Sequence, residues 1–478
     1  MNYSEFRKNA HSLVDWMADY LEKKEIHSVS PKVSPGEIAQ KLPDHAPEHP
    51  ENFEDIFKDF EKVILPGMTH WQHPKFFGYF PANNSAPSIL AEMLMATLGA
   101  QCMSWLTSPA ATELETKVTE WLRKSMGLLP EWTGVIQDTA STATLCALLT
   151  AREKYTQFSV NDRGIFPSSP LRVYCSTEAH SSVDKAVKIS GLGISNLVKI
   201  PVNADFSMNT QALKQAIQED IEQGYIPMAV VSALGTTGSC ALDSIEDIGK
   251  ICAEFSVWHH IDAAYAGTAL LLPECSDLIR GQEMADSFVF NPHKWMFTNF
   301  DCSIMFIKDP SALINTFAIN PEYLKTSHDE EVRNYRDWGI QLGRRFRALK
   351  LWFVIRTYGV SGIRAKLRNH LQLAKKVKNW MERHENIEII APNELNVICF
   401  RYVDKYMKLE QLNILNAAWM KAVNDTGEAF FTHTKLNETY VIRWVIAQTD
   451  VEERHLQEAW QLLMDKLNEL KDRDSSAR

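Results

Sequence analysis

The chain has no uninterrupted apolar run of the ~18 residues or more that a membrane-spanning helix needs. Its 8 cysteines, at 102, 146, 175, 240, 252, 275, 302 and 399, form no CxxC pair and make no zinc-finger spacing with histidine. Isolated cysteines in apolar surroundings read as reduced core residues, so a cytoplasmic setting is expected. An excess of positive charge is also missing: 50 Lys and Arg face 60 Asp and Glu, a formal net charge of −10. Nucleic acid and membrane surfaces are therefore not expected partners, because phosphate recognition wants a basic face. The run Gly343-Arg344-Arg345-Phe346-Arg347 is too short for such a face and reads as buried or interfacial. The patterns GxxxxGK[ST], GxSxG and HExxH do not occur, and Gly191-Leu192-Gly193 lacks the third glycine of a dinucleotide site. His259 and His260 are neighbours in a strand-like run, so their rings face opposite sides and read as packing, not as joint metal ligands. No metal is expected. The start of the chain lacks the apolar core of a signal peptide, and Glu5, Asp15 and Asp19 do not suit an Arg-rich transit peptide.

What is present is length and an alternating pattern. A chain of 478 residues exceeds one ordinary core, so two or three domains are expected. Residues 3–23 read as an amphipathic helix with Phe6, Ala10, Leu13, Met17 and Leu21 on one stripe. Pro31, Pro35, Pro43, Pro47 and Pro50 then forbid regular structure and suggest an extended arm, followed by a helix near 52–64. From about residue 86 the pattern changes, and after a helix at 111–126 short apolar runs alternate with helices. The runs are Gly134–Gln137, Arg172–Ser176, Leu197–Pro201, Met228–Leu234, Trp258–Ala263, Ser287–Phe290 and Ser303–Ile307. This is an α/β pattern, a mostly parallel central sheet with helices on both faces. A long helix at 342–358 leads to a mixture of helices and short strands. The expected division is a helical arm at 1–85, a large domain at 86–358 and a small α+β domain at 359–478.

Ligands of such sheets bind at the carboxyl ends of the strands. Three segments there carry chemistry. Ser287-Phe-Val-Phe-Asn291-Pro-His293-Lys294-Trp295 is a buried strand with a lysine in the turn after it. A lysine after a strand is usually a solvated loop residue, but a desolvated one loses its proton and can form an imine with an aldehyde. Trp258-His-His-Ile-Asp262-Ala263-Ala264 ends in a carboxylate beside small residues, which suits a flat ring with a protonated nitrogen. Val135-Ile-Gln-Asp138-Thr139-Ala140-Ser141-Thr142 is a strand, a hydroxyl-rich turn and a helix start, where free backbone N–H groups can hold a phosphate. Asp138 would repel that phosphate, so its side chain is expected to turn away. Lysine, carboxylate and phosphate cradle are the requirements of pyridoxal 5'-phosphate (PLP).

In order and spacing these segments resemble the group II PLP-dependent amino acid decarboxylases, the branch acting on aromatic L-amino acids. Supporting stretches are His70-Trp71 with Phe76-Phe-Gly-Tyr79-Phe80-Pro81, Ser104-Trp105, Ala179-His180-Ser-Ser-Val, Leu234-Gly-Thr236-Thr237 and Tyr335-Arg-Asp-Trp338. The resemblance implies the PLP-dependent transferase fold of type I. It implies a homodimeric lyase that releases carbon dioxide from tryptophan-, tyrosine-, phenylalanine- or dopa-like substrates. Lys294 would be the Schiff-base lysine, Asp262 the pyridinium partner and Ala264 the packing beneath the ring. Ala140, Ser141, Asn291 and His293 would contact the phosphate, His180 would stack on the ring and Thr236 would lie under the cofactor. Trp71, Tyr79, Phe80, Pro81, Ala82, Met103 and His180 would contact the substrate. Tyr335, on a mobile loop at 322–337 reaching the other subunit, would deliver a proton to the substrate carbon. The chain departs from the animal members of the family at Ala82, where they carry threonine. It departs again at Cys102-Met103, where an aromatic residue is usual. Two other outcomes are kept open: an aromatic aldehyde synthase, and a decarboxylase of a non-aromatic amino acid. The presence of both Tyr335 and His180 favours the amine as product.

Overall fold

A computed structural model describes residues 1–164, 170–319, 331–392 and 394–476. Seven strands form the central sheet: β1 Thr133–Gln137, β2 Leu171–Ser176, β3 Leu197–Ile200, β4 Ile226–Ala233, β5 Trp258–Asp262, β6 Ser287–Phe290 and β7 Ser303–Ile307. Their order is β1-β7-β6-β5-β4-β2-β3. β3, β2, β4, β5 and β6 run parallel, while β7 is antiparallel to both β6 and β1. The expected mostly parallel sheet is thus present.

Strand alternation explains why this sheet is buried twice. Phe288 and Phe290 of β6, Ile304 and Phe306 of β7 and Ile136 of β1 enter one core. Val289, Met305, Ile307 and Val135, the residues between them, enter the core on the other face. Helices cover both faces, so every residue of β5, β6 and β7 is buried. Register then aligns the strand ends: Ala233 of β4 lies beside Asp262 of β5, and Asp262 beside Val289 of β6.

Four more strands, β8 Ile387–Ile389, β9 Val397–Tyr402, β10 Thr432–Leu436 and β11 Thr439–Val445, make an antiparallel sheet in the order β10-β11-β9-β8. Its core holds Phe400, Trp419 and Trp444, together with Phe77 from far upstream. Phe77 N–H donates to the Phe430 carbonyl at 2.8 Å, and Val445 N–H to the Phe77 carbonyl at 3.1 Å. The segment before the cavity is therefore sewn into the small sheet.

Three elements differ from the sequence expectation. The helix expected from 342 begins at Arg347 and runs to Glu382, with a kink at Gly359, whose φ of 64° only glycine takes readily. Its start is delayed because Arg344 is buried against Glu115 (2.7 Å) and the Ile136 carbonyl (2.7 Å). The helix Ala86–Leu98 was not legible because it is apolar nearly all round, and β10 was not legible because Thr-His-Thr-Lys-Leu is a polar edge strand. The helix Tyr3–Glu22 buries none of its residues within this chain.

His259 and His260 do point to opposite sides. His259 Nε2 meets the Ser232 hydroxyl at 2.8 Å, and His260 Nδ1 meets the Ser287 hydroxyl at 2.8 Å. Burial holds His259 down to about 3 and His260 down to about 4. The unfolded chain takes up these protons from about 6.5 downward. The stability they contribute is thus complete above that value and falls as the pH drops toward the folded values. The urea midpoint of the cofactor-free protein should fall between about pH 7.5 and about pH 5, before carboxylates titrate. A midpoint constant across that window would contradict the assignment of buried neutral imidazoles.

Candidate active site

β6 delivers the lysine. After Phe290 the Asn291 N–H donates to the Ala264 carbonyl at 3.0 Å, and one helical turn, Pro292–Trp295, follows. Lys294 N–H donates to the Asn291 carbonyl at 2.9 Å, which closes the turn. Lys294 Nζ ends in a cavity of about 230 Å³ at the carboxyl ends of the strands. Burial lowers its pKa, opposed by the charge of Asp262. The amine is thus pushed toward its free, nucleophilic form.

The other walls come from neighbouring strand ends. Asp262 closes β5, and its Oδ1 accepts the Ala264 N–H at 3.0 Å. Ala233 and Thr236 follow β4. The Thr236 hydroxyl is held by the Ser239 hydroxyl at 3.0 Å and by the Ala241 N–H at 3.1 Å. His180 follows β2. Its Nδ1 accepts the Ser182 N–H at 3.1 Å, so the neutral ring carries its proton on Nε2. Burial lowers the pKa of His180, Lys294 adds to the effect and Asp262 opposes it.

At one end lies the start of the helix Ala140–Tyr155. Its first backbone bond runs from Ala143 N–H to the Thr139 carbonyl, so the N–H groups of Ala140 and Ser141 precede the ladder. Asn291 Oδ1 accepts the Ser303 hydroxyl at 2.7 Å, which leaves the amide as the donor end. His293 Nδ1 accepts the Cys302 N–H at 2.9 Å; burial and Lys294 hold the ring down to about 3, neutral and a donor through Nε2. Asp138 is turned onto Thr139 and Gln341 and does not line the cavity. A buried amine, a carboxylate, an anion cradle and small Ala233 and Ala264 fit PLP.

The structure therefore brings Lys294, Asp262, His180, Thr236, Ala264, Ala140, Ser141, Asn291, His293 and Phe80 to one cavity. Trp71, Tyr79, Pro81, Ala82 and Met103 do not line it within this chain. Tyr79 faces outward, stacked on Trp71 at 5.6 Å. Tyr265 and Gly235 line the cavity although the sequence reading passed over them. Tyr265 stacks on Phe80 at 3.9 Å and on Trp295 at 5.1 Å. Its position two residues after Ala263 was the available signal.

Tyr335 does not line the cavity within this chain. It is 1% exposed, its hydroxyl meets the Thr116 hydroxyl at 2.9 Å, and its ring packs on Trp338 at 5.4 Å. Arg344 lies over the ring at 4.8 Å, and the Trp338 carbonyl accepts the Gln137 side chain at 3.0 Å. So enclosed, the phenol packs in the core of this chain and stays apart from this chain's cavity. Residues 320–330, which carry most of the expected loop, lie outside the described residues, and so does its other tyrosine, Tyr323.

Comparison with known proteins agrees with the cavity. The pyridoxal-dependent decarboxylase conserved domain matches residues 35–403, so the chain belongs to the pyridoxal-dependent decarboxylases. Within that family it is similar to the aromatic-L-amino-acid decarboxylase of Cavia porcellus, with 42% identity covering 96% of this chain and 97% of that one. It is similar as well to phenylacetaldehyde synthase of Arabidopsis thaliana, with 39% identity covering 98% and 97%. The crystal structure of Oryza sativa TDC with PLP and tryptamine superposes with a TM-score of 0.95 at 32% identity, covering 98% and 99%. The cofactor is PLP.

Asp262→Ala tests the site most simply. It should lower turnover about a hundredfold or more while the protein stays folded and keeps PLP. Turnover near the parent value with PLP bound would remove Asp262 from the chemistry.

Proposed function

We propose that this protein decarboxylates aromatic L-amino acids, of the tryptophan, tyrosine, phenylalanine or dopa type, to the arylalkylamine and carbon dioxide. The observation that carries the reading is the Phe80–Tyr265 stack, 3.9 Å apart and 12° from parallel, in the wall of the cavity that holds Lys294. A flat aromatic side chain packs against such a wall. An acidic side chain would want an arginine there, and none stands among the described residues that line the cavity.

Lys294 would hold the aldehyde carbon of PLP, Asp262 its ring nitrogen, and Ala140, Ser141, Asn291 and His293 its phosphate. His180 and Ala264 would cover the two faces, with Thr236 below. Bound there, PLP supplies the electron sink for the Cα–carboxylate bond as carbon dioxide leaves. Asp262 would keep a positive charge at the ring nitrogen. Phe80 and Tyr265 exclude water. His180, which lines the cavity, would take up a proton from solvent and pass it to the substrate carbon, in place of Tyr335.

The active unit is a homodimer in the reducing cytosol, with an arm at 1–85, a cofactor domain at 86–358 and a small domain at 359–478. Leu90, Leu94 and Leu98 form an exposed stripe at i, i+4, i+8 on the helix Ala86–Leu98, at 53%, 45% and 64% exposure. Such a stripe favours a partner surface. The eight cysteines are all free, and among the described residues no helix is long and apolar enough to cross a membrane.

With Tyr335 outside this chain's cavity the aldehyde synthase reading is kept, since Tyr335 was one of two groups arguing for the amine. Amine, aldehyde and peroxide measured together under air decide between them. The parent enzyme should give amine and carbon dioxide in equal amounts without peroxide. Tyr335→Phe should do the same, within about twofold of the parent rate. Aldehyde and peroxide from the parent would make it an aldehyde synthase. The same products from Tyr335→Phe alone would restore Tyr335 as the donor, and from Tyr323→Phe alone would place the donor in the 322–330 stretch.

A further inference from the structure

Arg443 stands in the middle of β11, inside the apolar run Tyr440-Val-Ile-Arg443-Trp-Val. It is 3% exposed. Among the described residues it has no carboxylate partner, and its Nη2 has no hydrogen-bond acceptor. A buried guanidinium without a counter-ion is unfavourable unless its N–H groups meet specific acceptors. Nε donates to the Gly238 carbonyl at 2.8 Å. Nη1 donates to the Thr432 hydroxyl at 3.0 Å and reaches the Tyr79 carbonyl at 3.5 Å. These acceptors lie behind two walls of the Lys294 cavity, since Gly238 follows Thr236-Thr237 and Tyr79 precedes Phe80.

Tyr79 is where the backbone is strained. Its φ is 54°, in the left-handed region that bulky side chains seldom occupy. The turn sends the Tyr79 ring outward and the Phe80 ring inward, so that Lys294 Nζ lies 5.1 Å from the Phe80 ring centre. Tyr79 N–H donates at 3.0 Å to the Thr432 hydroxyl, the same hydroxyl that Arg443 grips. Phe430 and Thr432 press on the preceding residue, where a Cβ on Gly78 would come within 2.6 Å of the Phe430 ring. Arg443 Cζ itself sits 5.5 Å from the Phe80 ring centre. Strain of this kind persists only where the surroundings over-determine it.

We propose that Arg443 is a positioning residue for the decarboxylation: by gripping Thr432 and bracing the Tyr79 and Gly238 carbonyls, it holds the left-handed turn at Tyr79 and so keeps Phe80 against Lys294. The inference rests on the cavity being the decarboxylation site. A lysine cannot substitute, because a single ammonium does not span acceptors on three segments.

The test uses PLP-loaded protein and four variants: Arg443→Lys, Thr432→Val, Tyr79→Gly, and Arg443→Lys combined with Tyr79→Gly. Arg443→Lys should lower kcat about tenfold, with a smaller change in KM. It should raise the pH midpoint of the cofactor's visible band by about half a unit or more, because water then reaches Lys294. Glycine takes a positive φ unaided, so on the Tyr79→Gly background the same substitution should cost about twofold or less. Should Arg443→Lys fail to fold, Thr432→Val carries the test with the same direction and the same suppression. Equal losses on both backgrounds, or an unshifted band, would overturn the proposal. The band needs no substrate. A parent enzyme that releases no carbon dioxide from aromatic amino acids would therefore sink the function while leaving this inference readable.

Discussion

Removing water from an ammonium group favours the free amine, and the site turns on that effect at Lys294. The lysine follows a strand whose every residue is buried, and burial is the leading influence on its proton. Asp262 opposes this influence, so the amine is set by a balance of desolvation and one nearby charge. His180 and His293 feel the same burial and the same cation. Both are thereby kept neutral, and each neutral ring has its Nδ1 occupied by a backbone N–H.

The fold serves this balance by bringing strand ends into line. The register of β4, β5 and β6 places Ala233, Asp262 and the Asn291–Lys294 turn side by side. Small residues at 233 and 264 leave room for a flat ring, and the helix from Ala140 brings unpaired N–H groups to one end. The small sheet acts from behind. Through Phe77, Thr432 and Arg443 it fixes the segment that presents Phe80, and Phe80 and Tyr265 keep water from the amine.

Much of this was legible in the sequence because strand ends announce themselves. Apolar runs closing in Asp262 and in Asn291-Pro-His293-Lys294 mark both the sheet and its functional edge. Tyr335 reads as mobile because a polar stretch precedes it, whereas within this chain it packs with Trp338 and is held by Thr116 and Arg344. Nothing in the sequence states that the φ of Tyr79 is positive and that its ring turns away from this chain's cavity. Arg443 left one faint trace, a charge in an apolar strand, whose partners at 79, 238 and 432 only the fold brings together.

The state of the Lys294 amine is the point on which the account stands or falls. Cofactor-free protein can be mixed with pyridoxal phosphate and reduced with borohydride across a pH series, and the labelled peptide mapped. The label is expected on Lys294, with a capture rate that levels off below the usual lysine value of 10.5. A label on another lysine, or a rate still rising through that value, would contradict it.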